Sequence, residues 1–257
     1  MVRSRTIASA AVFTAFVAVA TAVFSVSIPA TRGYFNVGEV MVYISALLMG
    51  PFVGAFAGGV GSMLSDISLG FANYAPGTLA VKGIEGFIVG YLSRMVLRRQ
   101  VGREWKAISI GAALLFSVSF AYVGATYLSP DFSPTFGGVW GIPAYTVTFD
   151  LPQTFWIVLA AVSFLAISYF GMRADPGLGV TVLAVLLGGA EMVSGYFLYE
   201  SYALGLGTVT ASAEIPFNVA QALVGLLVSF TVVKSYRRIM GVKDVPGSPP
   251  PSSSTPA

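Results

Sequence analysis

The chain has 257 residues, of which 56% are hydrophobic and only 10% charged, and its mean hydropathy is +0.81. A soluble domain carries about a quarter of its residues as charges, so a cytosolic globular enzyme is excluded and one polytopic bundle in a bilayer is expected. With no Cys and no His, disulfides, thiol nucleophiles, Cys/His zinc sites, haem on a His ligand and Ser-His-Asp triads are excluded too, and the net charge of +3 is too small and too localised for nucleic acid.

A spanning helix needs about 20 mostly apolar residues. Apolar runs between charge clusters predict eight such spans, at 6–28, 37–50, 52–70, 77–97, 107–128, 152–172, 179–200 and 212–235. Arg3 and Arg5 precede the first run, which at about 22 residues exceeds a signal-peptide core of about 7–15 and is read as a retained helix. On it Ser4, Ala8, Ala11, Ala15, Ala18, Ala22 and Ser25 fall in one sector of a helical wheel, away from Phe13, Phe16, Val23 and Phe24. Small residues carry helix packing in lipid, so this smooth side is either an internal packing face or a docking groove for another membrane protein.

The second run is short, and Gly50-Pro51 turns it tightly into the third; the two are counted as separate crossings, with a re-entrant hairpin as the alternative. Gly54, Gly58, Gly61 and Ser65 repeat the small-residue stripe on the third helix, where internal packing is expected. The outside loop 129–151 carries Asp131, Asp150 and Trp140 without Lys or Arg. It either caps a pocket or links two peripheral helices, and the second is expected. Beyond Asp244 the tail PGSPPPSSSTPA has nothing to bury and is expected to be disordered.

Lys and Arg set orientation. With the N-terminus cytoplasmic, the inside segments hold Arg3, Arg5, Arg94, Arg98, Arg99, Arg103, Lys106, Arg173, Lys234, Arg237, Arg238 and Lys243, which are 12 of the 14 cations. Only Arg32 lies outside, and Lys82 is inside the fourth helix. A multi-pass protein of the cell membrane with both termini cytoplasmic follows.

An ionisable group in a spanning helix is costly unless paired or hydrated, so each is a site hypothesis. These are Glu39, Asp66, Lys82, Glu85, Glu191, Glu200 and Glu214, with the amides Asn36, Asn73, Asn218 and Gln221 beside them. A rise of about 1.5 Å per residue puts Lys82, Glu85, Glu214, Asn218 and Gln221 within roughly 15 Å of the outer surface. Asp66 and Glu191 fall above or near the midplane, so the polar groups converge on an outward-facing cavity. Glu214, Asn218, Gln221 and Gly225 share one helix face; Thr78, Lys82, Glu85 and Val89 share another. Glu191 lies between Gly188 and Gly195, with Tyr202 above on the same side. The plainer alternative is mutual pairing, such as a structural Lys82–Glu85 ion pair, a Glu39 that complements a helix dipole, and a solvated Glu200 and Glu214. Amides such as Asn218 and Gln221 suit a polar heterocyclic or amide-bearing ligand.

The stretch GYFNVGEVMVYISALLMGPFVGAFAGGVGSMLSDI followed by YAPGTLAVKGIEGFIVG, together with GGAEMVSGYFLYE and Ile215-Pro216-Phe217-Asn218 with Gln221, resembles the substrate-binding S component of energy-coupling factor (ECF) vitamin importers, riboflavin-type group. The resemblance covers 1–97 and 179–236, roughly two thirds of the chain. It implies an all-α transmembrane bundle within 1–243, with a six-helix core from those two segments and an inserted helix pair at 107–172, and a tail at 244–257. It implies a vitamin held near the extracellular side by the last three core helices, under a lid formed by the loop from Pro29 to Val37. The substrate-binding residues expected are Asn36, Glu39, Asn73, Lys82, Glu85, Glu191, Tyr202, Asn218 and Gln221. Docking on the coupling module (a transmembrane coupling protein and two ABC ATPases) would use Ala11, Ala15, Ala18 and Ala22. No G-x-x-x-x-G-K-[ST] occurs in the chain, so ATP hydrolysis falls to partners, and no catalytic residue, metal or cofactor is expected. The rival readings are a self-sufficient proton-coupled carrier using Glu191 or Asp66, and an intramembrane enzyme using Glu191 and Glu214.

Overall fold

The computed structural model describes residues 2–28, 31–96, 104–127, 129–132, 135–136, 143, 145–173 and 176–239. The tail, Trp140 and the cations Arg98, Arg99, Arg103 and Lys243 lie outside the described residues.

The long helices are α1 (Val2–Val23), α2 (Gly38–Met49), α3 (Pro51–Leu69), α4 (Ala75–Val96), α5 (Glu104–Tyr127), α6 (Gln153–Arg173), α7 (Pro176–Leu198) and α9 (Ile215–Ile239), with a one-turn α8 (Thr208–Ser212) before the last. The protein is an all-α membrane bundle. Four segments are long and apolar enough to cross a bilayer on length and composition: Thr6–Val23, Pro51–Leu69, Thr181–Ala203 and Thr208–Tyr236.

Two boundaries differ from those expected from hydrophobic runs. The first helix stops at Val23, and Phe24–Ile28 is a strand, β1. Phe24-Ser25-Val26-Ser27-Ile28 alternates apolar and polar residues, a period of two that suits a strand and not a helix; Val26 and Ile28 are buried. β1 pairs antiparallel with β2 (Gly33–Asn36), Ser25 opposite Asn36 and Ile28 opposite Gly33. What sequence suggested was a lid loop is therefore a hairpin, with Arg32 in the left-handed region at φ 58°. At the other end of the chain, α7 passes into a π turn over Tyr199–Ala203, closed by the Leu204 N–H on the Tyr199 carbonyl at 2.9 Å.

The loop between α5 and α6 does more than link them. It contributes β3 (Asp131–Phe132), β4 (Thr135–Phe136), β5 (Tyr145–Thr146) and β6 (Phe149–Asp150). β4 pairs with β1, Phe24 opposite Phe136, so the lid hairpin is one half of a sheet ordered β2-β1-β4-β5. β3 and β6 close a separate pair.

The helices α1, α2, α3, α4, α7 and α9 pack on one another, while α5 and α6 pair at the periphery and reach the rest mainly through α9. Trp156 of α6 fills the space over Gly124 of α5, and Leu114, Val118, Val158 and Leu165 of this pair are exposed, as expected for a lipid-facing surface. The small-residue stripe of α3 packs internally. A Cβ on Gly54 would meet Ala46 Cα at 2.7 Å and the Gly86 carbonyl at 2.8 Å, and one on Gly58 would meet the Lys82 carbonyl at 2.7 Å. Ser65 completes the stripe by donating to the Ala18 carbonyl at 2.8 Å. Close backbone approach of this kind replaces the hydrophobic effect as the packing force in lipid. Gly225 does the same for α9, where its missing side chain admits Tyr43 and Glu39 of α2. Tyr43 sits at the centre, with no exposed surface.

Helix direction fixes where the site falls. α2, α4 and α9 begin, and α1, α3 and α7 end, at one end of the bundle. The opposite end carries the Gly50 turn, where the Arg94 guanidinium donates to the Met49 carbonyl at 2.6 Å and so satisfies the C-terminus of α2.

Candidate functional site

At the first of these ends the polar side chains surround one cleft. Its walls come from α1 (Thr21), the lid (Gly33, Tyr34, Asn36), α3 (Ser62, Asp66), Tyr74 and α4 (Thr78, Lys82), with Tyr196 of α7 and Glu214, Asn218 and Gln221 at the start of α9. The floor is a continuous network. Lys82 is ion-paired with Glu39 and lies 3.3 Å from Glu85. Tyr43 donates its hydroxyl to Glu85 at 2.8 Å, and the Lys82 ammonium stands 5.4 Å above the Tyr196 ring. Gln221 donates to Glu39 at 3.3 Å and accepts from the Asn36 N–H at 3.0 Å. Lys82, Glu39 and Glu85 are 3%, 1% and 0% exposed. Such a network is tolerable in a low-dielectric interior only because the charges face each other and are hydrogen-bonded.

The lid is tied down by side chains that sequence reading left out of the site. Tyr34 donates to Asp66 at 2.6 Å and its ring stacks on Phe71, centroids 4.6 Å apart. Burial, and then the Asp66 charge, push the Tyr34 phenol well above its ordinary pKa, so it remains a proton donor throughout the physiological range. Thr31 donates to Glu214, and Tyr74 donates to the Thr31 carbonyl at 3.0 Å. The Tyr74 phenol is raised as well, by burial first and then by the charges of Glu214 and Glu200. Phe35 and Phe217 pack with Ile28 to close the apolar edge. With the lid in place the cleft is nearly full. About 30 Å³ remains for occupants of water size, room for about two waters at roughly 10–15 Å³ each.

Of the residues expected from sequence, Asn36, Lys82, Asn218 and Gln221 line the cleft, and Glu39 and Glu85 stand directly behind Lys82. Glu191 is half-buried beside the same network, one carboxylate oxygen without a hydrogen-bond partner. Two are not brought in. Asn73 is exposed on the turn between α3 and α4, where only its carbonyl is engaged, by the Tyr199 hydroxyl at 2.7 Å. Tyr202 is 74% exposed. Its placement by extrapolation from Glu191 fails because the π turn adds a residue to the helical repeat and rotates everything after Leu198. The same rotation buries Glu200, fully enclosed with its carboxyl against that of Glu214. Asp66, Thr78 and Glu214 were visible by depth and helix face; Tyr34, Tyr74 and Tyr196 carry no signal in a sequence rich in aromatics.

The stripe on α1 is divided by the fold. Ala18 and Ala22 are 7% and 0% exposed and turn inward, the Ala18 carbonyl accepting from Ser65 of α3, whereas Ala11 and Ala15 are exposed beside Val12 and Phe16.

Gln221→Ala removes the acceptor for the lid N–H and a donor to Glu39, and Asn218→Ala empties one wall. Each substitution is expected to weaken binding of a small molecule held in the cleft by about 1–3 kcal/mol, the cost of a buried group left unpaired. Titration calorimetry reads this directly, and unchanged affinity in both variants places the ligand elsewhere.

A helical membrane bundle with a lidded polar cleft at one end is the class that fold and site define. The family described as ECF-type riboflavin transporter, S component, matches residues 1–169, and the chain belongs to that family. The matched span ends at residue 169, within the second helix of the 107–172 pair that sequence reading set apart as an insertion, and stops before α7. Tyr196, Glu214, Asn218 and Gln221 lie beyond it, as does the resemblance expected over 179–236. A curated relative from Pyrococcus woesei, described as an uncharacterized protein in gap 3'region, is 49% identical over 78 residues, 30% of this chain and 52% of the relative. The chain thus spans about half the length of the curated relative it matches. No solved structure matches it.

Proposed function

We propose that the protein is the substrate-binding subunit of an ECF-type importer, capturing a vitamin or related small heterocycle, riboflavin among the candidates, for ATP-driven uptake. The observation that carries this is the lidded cleft. In a chain of the S-component family, a polar cavity closed by a hairpin and lined from α4, α7 and α9 is a receptor site and not a pore. Arg94 lies at the end of the bundle away from the cleft, and excess Lys and Arg mark the cytoplasmic side, which supports a cleft opening outward and both termini inside. Ligand enters when Thr31 and Tyr34 release Glu214 and Asp66, and closure of β1–β2 restores the ties. Reorientation of the bundle then follows the cycle of a coupling protein and two ABC ATPases.

The small molecule released from the purified protein, identified by absorbance and mass spectrum, tests the reading; preparations that release nothing and bind no vitamin refute it. Exposed Ala11 and Ala15 supply the docking contact. Ala11→Leu with Ala15→Leu is expected to abolish co-purification with the coupling protein and leave ligand affinity unchanged. Leu at the buried Ala18 or Ala22 would instead lower thermal stability. Assembly that survives in the first double variant removes α1 from the interface.

The unpartnered carboxylate oxygens of Asp66 and Glu191 favour one second reading, a proton-coupled carrier. Uptake into vesicles that hold no ATPase partner would establish it in place of the first.

A further inference from the structure

Glu200 and Glu214 stand behind the lid as two carboxyl groups joined by a side-chain hydrogen bond, 0% and 5% exposed. A hydrogen bond between two carboxyls needs a proton on one of them, and two buried carboxylates in contact do not both ionise. The pair therefore holds one proton and one negative charge. Glu214 also accepts the Thr31 hydroxyl, and the Thr31 oxygen in turn accepts from the Gly33 N–H at 3.3 Å. A carboxylate that accepts from both sides is the ionised member, so the proton rests on Glu200.

The lid sits directly on that carboxylate. A Cβ on Gly33 would overlap Oε1 of Glu214, so the hairpin can settle there because residue 33 has no side chain. Its turn is held by the Arg32 N–H on the Ile28 carbonyl and by the Tyr74 hydroxyl on the Thr31 carbonyl, each at 3.0 Å. From the other side Glu200 is delivered by the π turn over Tyr199–Ala203, a helical irregularity found often at functional sites.

No neighbouring charge takes over the role of the shared proton. Among the described residues only Lys82 forms ion pairs, and its partners are Glu39 and Glu85; Arg32 is exposed at the hairpin tip. The phenols of Tyr74, Tyr196 and Tyr199 donate to the Thr31 carbonyl, the Thr78 hydroxyl and the Asn73 carbonyl. Asp66 accepts from Tyr34, and α8 carries no titratable side chain.

Building on the receptor reading, in which opening of the hairpin admits ligand, we infer that Glu200 is a positioning residue for the lid: the proton it shares with Glu214 holds that carboxylate under Thr31, and loss of the proton unlatches the hairpin. With both groups ionised they repel, and the cleft and the lid lie on the side to which Glu214 can move. Opening lets Glu214 reach water, so the open form gives up the proton to the outside more easily than the closed one. Closure is fully favoured while the open form still carries the proton. Above that pH it weakens about tenfold per unit, until the closed form releases the proton as well.

The test is amide hydrogen exchange of residues 24–36, read by mass spectrometry on ligand-free, full-length protein in nanodiscs across neutral and alkaline pH. Protection is the exchange rate of a free peptide of the same sequence divided by that of the lid, which removes the pH dependence of the exchange chemistry itself. In the parent chain protection is expected to fall about tenfold per pH unit over part of the range. Glu200→Gln supplies an N–H donor that does not ionise and should keep the lid protected at a level independent of pH. Thr31→Val cuts the lid from Glu214 and should give low protection that is equally flat. Constant protection in the parent overturns the inference, and so does a fall in Glu200→Gln as steep as the parent's. Where Glu200→Gln does not fold, Thr31→Val decides, since a parent-like slope there would mean that the proton acts elsewhere. These outcomes leave the receptor reading standing, because that reading falls only to a chain that releases and binds no vitamin.

Discussion

Lys82→Met is expected to lower the stability of the bundle by about 3–5 kcal/mol, the cost of removing one partner from a buried ion pair. Lys82 stands between Glu39 and Glu85, which are 1% and 0% exposed, and it is the only ammonium that reaches them among the described residues. Met nearly preserves the length and apolar stem of Lys, so the packing change is small and the loss is electrostatic. The triple variant Lys82→Met, Glu39→Gln, Glu85→Gln should recover most of the stability, because amides in those positions cost far less to bury than charges. Thermal unfolding in detergent, followed by circular dichroism, reads both effects. A Lys82→Met protein as stable as the parent would mean that the carboxylates carry protons and that the network holds no net ion pair.

Gly86→Leu is expected to be nearly as damaging, at about 3 kcal/mol or more, the upper range for overpacking a tight interior. A Cβ there would overlap the Gly54 carbonyl oxygen and sit 2.6 Å from the carbonyl carbon. Backbone cannot swing aside as a side chain can, so α3 and α4 must part. Lys82 and Glu85 lie within one turn of Gly86 and would leave the cleft with it, so ligand binding should fall along with Tm. Gly111→Leu is the control. A Cβ there meets nothing within 4 Å, and on the lipid-facing side of α5 the added side chain should leave both quantities unchanged. Equal effects at the two positions would show that helix propensity, and not the α3–α4 approach, sets the cost.

Much of this fold is written in one-dimensional terms. Each apolar run expected to span became mostly helix, because in a bilayer the backbone has no other partner than itself, although the second gives a helix of only 12 residues. The Gly-rich stripe of the third helix announced a close contact, and the polar residues of the fourth and ninth helices announced a common cavity through depth and helical period alone. Where the period changed, the reading failed. Phe24–Ile28 is apolar enough to extend the first helix, yet its alternation makes it a strand once a partner strand is available. Tyr202 and Glu200 exchanged places because one π turn, invisible in composition, shifts the register by a residue.

The sequence by itself determined that the protein is a helical membrane bundle without Cys or His chemistry, and which ionisable groups it carries into the apolar interior. Hydropathy and helical period are properties of a segment, and they need no knowledge of its neighbours. Only the tertiary structure decided which of those groups meet. It set Lys82 between two acids, drew Tyr34 and Thr31 of the hairpin onto Asp66 and Glu214, left Asn73 outside, and divided the alanines of the first helix between core and surface. Pairing across the bundle depends on packing distance and on rotation about each helix axis, and small-residue contacts between distant segments fix both.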